Sequence, residues 1–251
     1  MSGHNRWSKV KNVKGPADAK RGKLFTKLTK EIIIAARIGG GNLDGNARLR
    51  HAVELARDAS MPKDNIERAI RKGTGDLQGE AIEEATYEGY GPGGVAILVE
   101  TTSDNKNRTV SDLRNQFKSG GGNMGEAGSV SWMFTQHGQL LFDKKKYSMD
   151  TVMEVALEAG AQDISEVHDS VEVLTAVSEV YKVREAFEKV GMYPVSQSFT
   201  FVAKSTVPVE EKTSAEKILH LLESLEDHDD VQRVHANFEM TDALFSEVGQ
   251  K

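Results

Sequence analysis

Cysteine is absent from the 251-residue chain, so a disulfide framework, a thiolate metal site and a cysteine nucleophile are all excluded, and the cytoplasm is the expected compartment. No apolar run approaches the roughly 20 residues needed to span a bilayer, and the opening MSGHNRWSKV lacks the apolar core of a secretory signal. Acidic residues, plentiful overall, are scarce at one end. Met1 to Gly75 hold 17 Lys+Arg against 7 Asp+Glu, whereas Asp76 to Lys251 hold 15 against 31, a split that the net charge of −6 conceals. A polyanion is attracted to one end and repelled by the remainder, which is the footprint of a nucleic-acid-facing domain on an acidic body. With 38% apolar and 28% charged residues, the length accommodates two or three small domains, each with its own core.

From Ala17 to Ile38, Phe25, Leu28, Ile32 and Ala35 recur at helical spacing, and Lys20, Lys23, Lys27 and Lys30 fall on a second stripe about 140° away. Gly39 to Gly41 end this helix. Asn46 caps a second, with Leu49, Ala52, Val53 and Ala56 inward, and Pro62 opens a third, with Ile66, Ala69 and Ile70 inward and Gly73 as its stop. Gly73 to Glu80 reads as a linker, after which the period changes. Gly94 to Thr102 reads as a buried strand, Arg108 to Lys118 as a helix, and Ser129 to Thr135 as a strand after a glycine-rich loop. From Gly138 to Lys204 the order strand-helix-strand-strand-helix-strand is that of a ferredoxin-like unit. The remaining helix (Ile218, Leu219, Leu222, Leu225) and strand (Val231 to Phe238) cannot form a core alone, so they are expected to return to the incomplete middle unit. The expected class is α+β multidomain, an N-terminal three-helix bundle followed by two α+β (ferredoxin-like) domains, the middle one discontinuous. Its parts are residues 1–78, residues 79–137 plus 205–240, an insertion at 138–204, and a tail at 241–251.

Catalytic signals are lacking. The loop Gly89 to Gly94 precedes a strand instead of joining a strand to a helix, so it reads as a turn and not as a dinucleotide site, and no Gly-Lys-Ser/Thr loop is present. Ser129 and Ser131 have no nearby base, and Glu83, Glu84 and Glu88 read as a charged edge. His228, Asp229, Asp230 and His235 read as a solvated turn in preference to a metal site. No catalytic residue, metal, cofactor, membrane or small-molecule substrate is expected. Gly120 to Gly128 is open between a mobile binding loop and a flexible connector.

The segment Ser2 to Pro16 interleaves Arg6, Lys9, Lys11 and Lys14 with His4, Asn5 and Trp7 and contains no acidic residue. Its cations suit phosphates, and Trp7 and His4 offer flat faces for stacking on an unpaired base; the alternative for Trp7 is a hydrophobic anchor against the bundle. The candidate nucleic-acid-binding set is His4, Arg6, Trp7, Lys9, Lys11, Lys14, Lys20, Arg21, Lys23, Lys27 and Lys30.

GHNRWSKVKN, DAKRGKLFTKLTKEI, AARIGGGN, ARLRHAVELA and MPKDNIERAIRKGTG, followed by YEGYGPGGVAILVETTSDNKNRT from Tyr87 to Thr109, closely resemble the YebC/PmpR family of bacterial proteins. The resemblance implies a helical N-terminal domain, two α+β domains and a DNA-binding transcriptional regulator. It also brings in ribosome-associated relatives, among them a mitochondrial translational activator of cytochrome c oxidase I. Asn5-Arg6 stands where Ser-Lys is commoner in the family, and Ala47 where proline often follows the Asn. The expected function is thus a cytoplasmic, non-enzymatic regulator binding DNA through its basic end. The alternatives are a translation factor on ribosomal RNA and the ribosome, and a protein-interaction scaffold.

Overall fold

The computed structural model describes residues 17–78, 81–167 and 170–248, with the side chains of 17–20, 47 and 242 set aside. Three helices come first: α1 (Ala17–Gly39), α2 (Ala47–Asp58) and α3 (Lys63–Thr74). They bury Leu28, Ile32, Leu49, Val53, Ile66 and Ala69 against one another, as the 3.6-residue period requires. Asn46 serves two helices at once. Its Oδ1 accepts the Leu49 amide at 3.0 Å to cap α2, and its Nδ2 donates to the Ala35 and Gly40 carbonyls at 2.7 and 2.8 Å, satisfying the end of α1. Gly73 lets α3 lie close on α1, since a Cβ there would come within 2.5 Å of the Ile33 carbonyl oxygen.

Next come β1 (Glu83–Tyr90), β2 (Ala96–Ser103), α4 (Lys106–Ser119) and β3 (Asn123–Met124). The chain then enters β4 (Phe134–Asp143), α5 (Met149–Ala159), β5 (Asp163–Val167), β6 (Ser170–Ala176), α6 (Val180–Lys189) and β7 (Ser196–Ala203). It returns as β8 (Val207–Pro208), α7 (Lys212–Glu226), β9 (Val231–Ala236), β10 (Phe238–Glu239) and α8 (Asp242–Val248). The middle sheet runs β3-β1-β2-β9 and the inserted sheet β5-β6-β4-β7, with antiparallel neighbours throughout both. Because β9 pairs with β2, residues from both sides of the insertion share one sheet. One face of that sheet, through Val95, Ile97 and Val99, packs on Leu113 and Phe117 of α4 and Ile218, Leu221 and Leu222 of α7. The opposite face, through Ala96 and Leu98, meets Val130, Phe134, Phe201 and Ala203, which joins the two α+β domains.

Four expectations need correction. The strand expected at Ser129 to Thr135 is not in the middle sheet: Ser131–Met133 make a 3₁₀ turn, and Phe134 already begins the inserted sheet. Gly138, taken as the start of the insertion, lies inside β4, where a Cβ would come within 2.6 Å of the Val180 side chain. Glu83, Glu84 and Glu88 belong to β1, between β2 and β3. Only Gly89 and Tyr90 pair with the short β3, so Glu83 and Glu84 line an open edge while Glu88 is buried. The residues assigned to a tail form α8, which buries Leu244, Phe245 and Val248 in the middle core.

Candidate nucleic-acid interface

The arm residues His4, Arg6, Trp7, Lys9, Lys11 and Lys14 lie outside the described residues, as does the side chain of Lys20. The rest of the candidate set is on α1. Arg21 is exposed, with its guanidinium 5.4 Å from the centre of the Phe25 ring and donating to the Ser60 carbonyl at 3.4 Å. The lysine stripe, by contrast, meets the turn that joins α7 to β9. Lys23 lies 3.5 Å from the Asp227 carboxylate, Lys27 donates to the Glu226 carbonyl, and Lys30 donates to the Asp229 carbonyl at 3.0 Å and to the Asp230 carboxylate. Helical geometry separates these lysines from the bundle core, and the fold directs them to an acidic partner segment about 200 residues away in sequence.

Asp230 is the centre of this junction, and only 1% of its side chain is exposed. Besides Lys30 it accepts from Thr109 Oγ1 at 2.7 Å, Arg108 Nη2 at 3.1 Å and Ser103 Oγ at 3.2 Å, while its carbonyl accepts the Thr102 amide at 2.8 Å. Burial alone would raise the Asp230 pKa; the hydrogen bonds from Lys30, Thr109 and Arg108 overcome it and hold the group far below the usual carboxylate range. The same pairing raises the Arg108 pKa through Asp230 and then Asp104. The expectation of a solvated turn therefore fails at Asp230, because cations from α1 and α4 neutralise it and let it be buried, while Asp229 stays exposed. A second tie is made by Arg48 of α2, whose guanidinium bridges Glu31 of α1 at 2.7 Å and Glu84 of β1 at 2.6 Å.

The cations that remain uncovered lie on other helices. Arg68, Arg71 and Lys72 share the face of α3 turned away from Ile66, Ala69 and Gly73, and all three are exposed. Arg57, in the last turn of α2, is exposed as well. None of these four has an ion-pair partner among the described residues. Lys72 also borders a cleft of about 490 Å³ between the bundle and the middle domain, which Arg37, Ile33, Ile82 and Asp104 help to line. Among the described residues no cluster of histidines and carboxylates has the geometry of a metal site, and no helix is long and apolar enough to cross a membrane.

Two family models match this chain: the TACO1/YebC protein N-terminal domain over residues 5–76, and the TACO1/YebC second and third domain over residues 82–238. The chain belongs to the TACO1/YebC family. It is 52% identical over 248 residues to a protein of Syntrophobacter fumaroxidans, covering 99% of this chain and 100% of that one. A Geobacter sulfurreducens protein is 53% identical over 241 residues, covering 96% and 97%. Both relatives are named probable transcriptional regulatory protein. The crystal structure of a conserved hypothetical protein from Aquifex aeolicus, 46% identical, superposes with a TM-score of 0.82 over 90% of this chain and 93% of that one.

Within the TACO1/YebC fold the loop after α4 proves to be pinned. Gly122 and Gly125 donate their amides to the Phe117 and Glu88 carbonyls, both at 2.8 Å. The Glu88 carboxylate then accepts the amides of Gly128, Val130 and Ser131 at 2.7, 2.6 and 2.7 Å. Burial acts to raise the Glu88 pKa, and these three amides outweigh it and lower the group. Directly after the loop, Trp132 stands 63% exposed, its ring held by an Nε1–H bond to the Ser129 carbonyl at 3.1 Å. Sequence reasoning missed both Glu88 as an anchor and Trp132. The only signal was a carboxylate at an apolar-flanked position ahead of a glycine-rich loop.

Proposed function

We propose that this protein is a non-enzymatic regulator of gene expression that binds nucleic acid in the cytoplasm through its N-terminal helical domain, with DNA as the first expectation. The observation that carries the reading is the separation of charge between a basic end and an acidic body. It is joined by the exposed cations Arg57, Arg68, Arg71 and Lys72, which have no ion-pair partner among the described residues. The names of the relatives support a regulatory role. Arg21, Lys23, Lys27 and Lys30 remain part of the proposed surface together with the arm cations, with the α3 face added to them. Such contacts track phosphates and carry no base sequence, so the same surface serves structured ribosomal RNA as the second reading.

Binding through about six phosphates lowers affinity by roughly three decades between 50 and 200 mM monovalent salt. Fluorescence anisotropy with a labelled duplex and a labelled ribosomal RNA hairpin measures this slope. The triple variant Arg68→Glu, Arg71→Glu, Lys72→Glu is expected to weaken both at least tenfold while circular dichroism stays unchanged. Salt-independent binding, or unchanged binding by the triple variant, excludes the α3 face. Sedimentation of the protein with ribosomes, with and without nuclease, separates the two partners.

A further inference from the structure

We propose that the turn Glu226 to Asp230 acts as a built-in competitor that covers the α1 lysine stripe, so that a nucleic acid reaches this stripe only by displacing the chain's own acidic segment. The inference rests on the nucleic-acid reading above and adds its regulation. Four contacts define the covered state: Lys23 with Asp227 at 3.5 Å, Lys27 with the Glu226 carbonyl, and Lys30 with the Asp229 carbonyl at 3.0 Å and with the Asp230 carboxylate. The turn offers a row of carbonyl and carboxylate oxygens to a row of ammonium groups, the same chemistry that a run of phosphates offers. Two of the lysines meet main-chain carbonyls, which are weaker partners than phosphates, and the Lys23–Asp227 pair is about half exposed and open to screening by salt.

The coverage is graded. Lys30 is anchored in the buried Asp230 network, with 12% of its side chain exposed, whereas 47% of the Lys23 side chain is exposed. A polyanion arriving from the arm side meets the loosely covered end first and peels the turn towards Lys30. Outer acids also belong to the competitor, because Asp227 and Asp229 are exposed and repel phosphates at its edge.

The test uses the full-length protein and a labelled 20-nucleotide single strand and duplex. The double variant Asp227→Asn, Asp229→Asn removes two charges from the turn and leaves Asp230 intact; Glu210→Gln, Glu211→Gln removes the same charge elsewhere on the acidic body. The expected result is a gain of about three- to tenfold in affinity for the turn variant, with at most half that gain for the control. Independently, adding the wild-type protein's oligonucleotide partner is expected to speed hydrogen exchange at the amides of Asp227 to Val231. Equal affinities for turn variant and control, together with unchanged exchange at these amides, overturn the competitor while leaving the nucleic-acid reading in place if wild type still binds with a steep salt slope. Absence of binding in wild type and variants alike overturns both. If the double variant is poorly folded, the single variant Asp227→Asn replaces it, with Glu210→Gln as its control.

Discussion

Asp230 shows how much one side chain can decide. It ties α1, β2 and α4 together, and every donor around it is aimed at the ionised form. Removing it leaves the largely buried Lys30 charge without its carboxylate, while the half-exposed Arg108 keeps Asp104, so Asp230→Ala is expected to cost about 2–4 kcal/mol in urea unfolding. Its folded pKa lies below the unfolded value, so the native state binds this proton less readily. The stabilisation is therefore complete above the ordinary carboxylate value near pH 4 and is lost progressively as pH falls from there towards the much lower folded value. Urea midpoints of wild type and Asp230→Asn between pH 6 and 3 check the sign: the gap between them should narrow below about pH 4, and a gap that widens refutes it. Glu88 works on the same principle on a smaller scale, one carboxylate fixing three amides of a loop that otherwise consists largely of glycine.

At the level of elements, the helices were legible because each keeps a 3.6-residue apolar period and carries its own punctuation, Asn46 before α2 and Pro62 before α3. The return of α7 and β9 was legible as a deficit, since a lone helix and strand cannot bury their apolar faces. β1 was not legible: EEATYEGY has few apolar residues, because Tyr87 and Gly89 face the helical layer while Glu83 and Glu84 line an open edge. The start of β4 was misplaced because Gly138 resembles a turn residue, although its missing side chain makes room for Val180 and Thr175. Gly138→Val should accordingly destabilise the inserted domain by about 2–3 kcal/mol through overpacking, seen as a lower thermal midpoint. Deleting everything after Lys204 removes α7 and β9 and uncovers Val95, Ile97 and Val99, so the middle domain should lose cooperative unfolding. Retention of the full transition by the truncated chain would contradict the pairing of β2 with β9.

Across the whole molecule, the charge split announced a basic end but not which of its cations are free. Composition treats Lys30 and Lys72 alike, whereas the fold buries one against Asp230 and exposes the other on α3. Only the tertiary arrangement distinguishes them, because the partner of Lys30 is 200 positions away. Arg48, Lys23, Lys27 and Lys30 tie the bundle to the middle domain from two sides.

That distance also sets an order of events during synthesis. The bundle is translated first, and its local contacts let it fold early, but the segment that covers its lysines is made 200 residues later. At about 5–20 residues per second the α1 stripe stays bare for roughly 10–40 s on every new chain. Through that interval the nascent protein presents this lysine stripe next to the RNA of the machine that is making it, a state that the finished molecule closes with its own acidic turn ahead of β9.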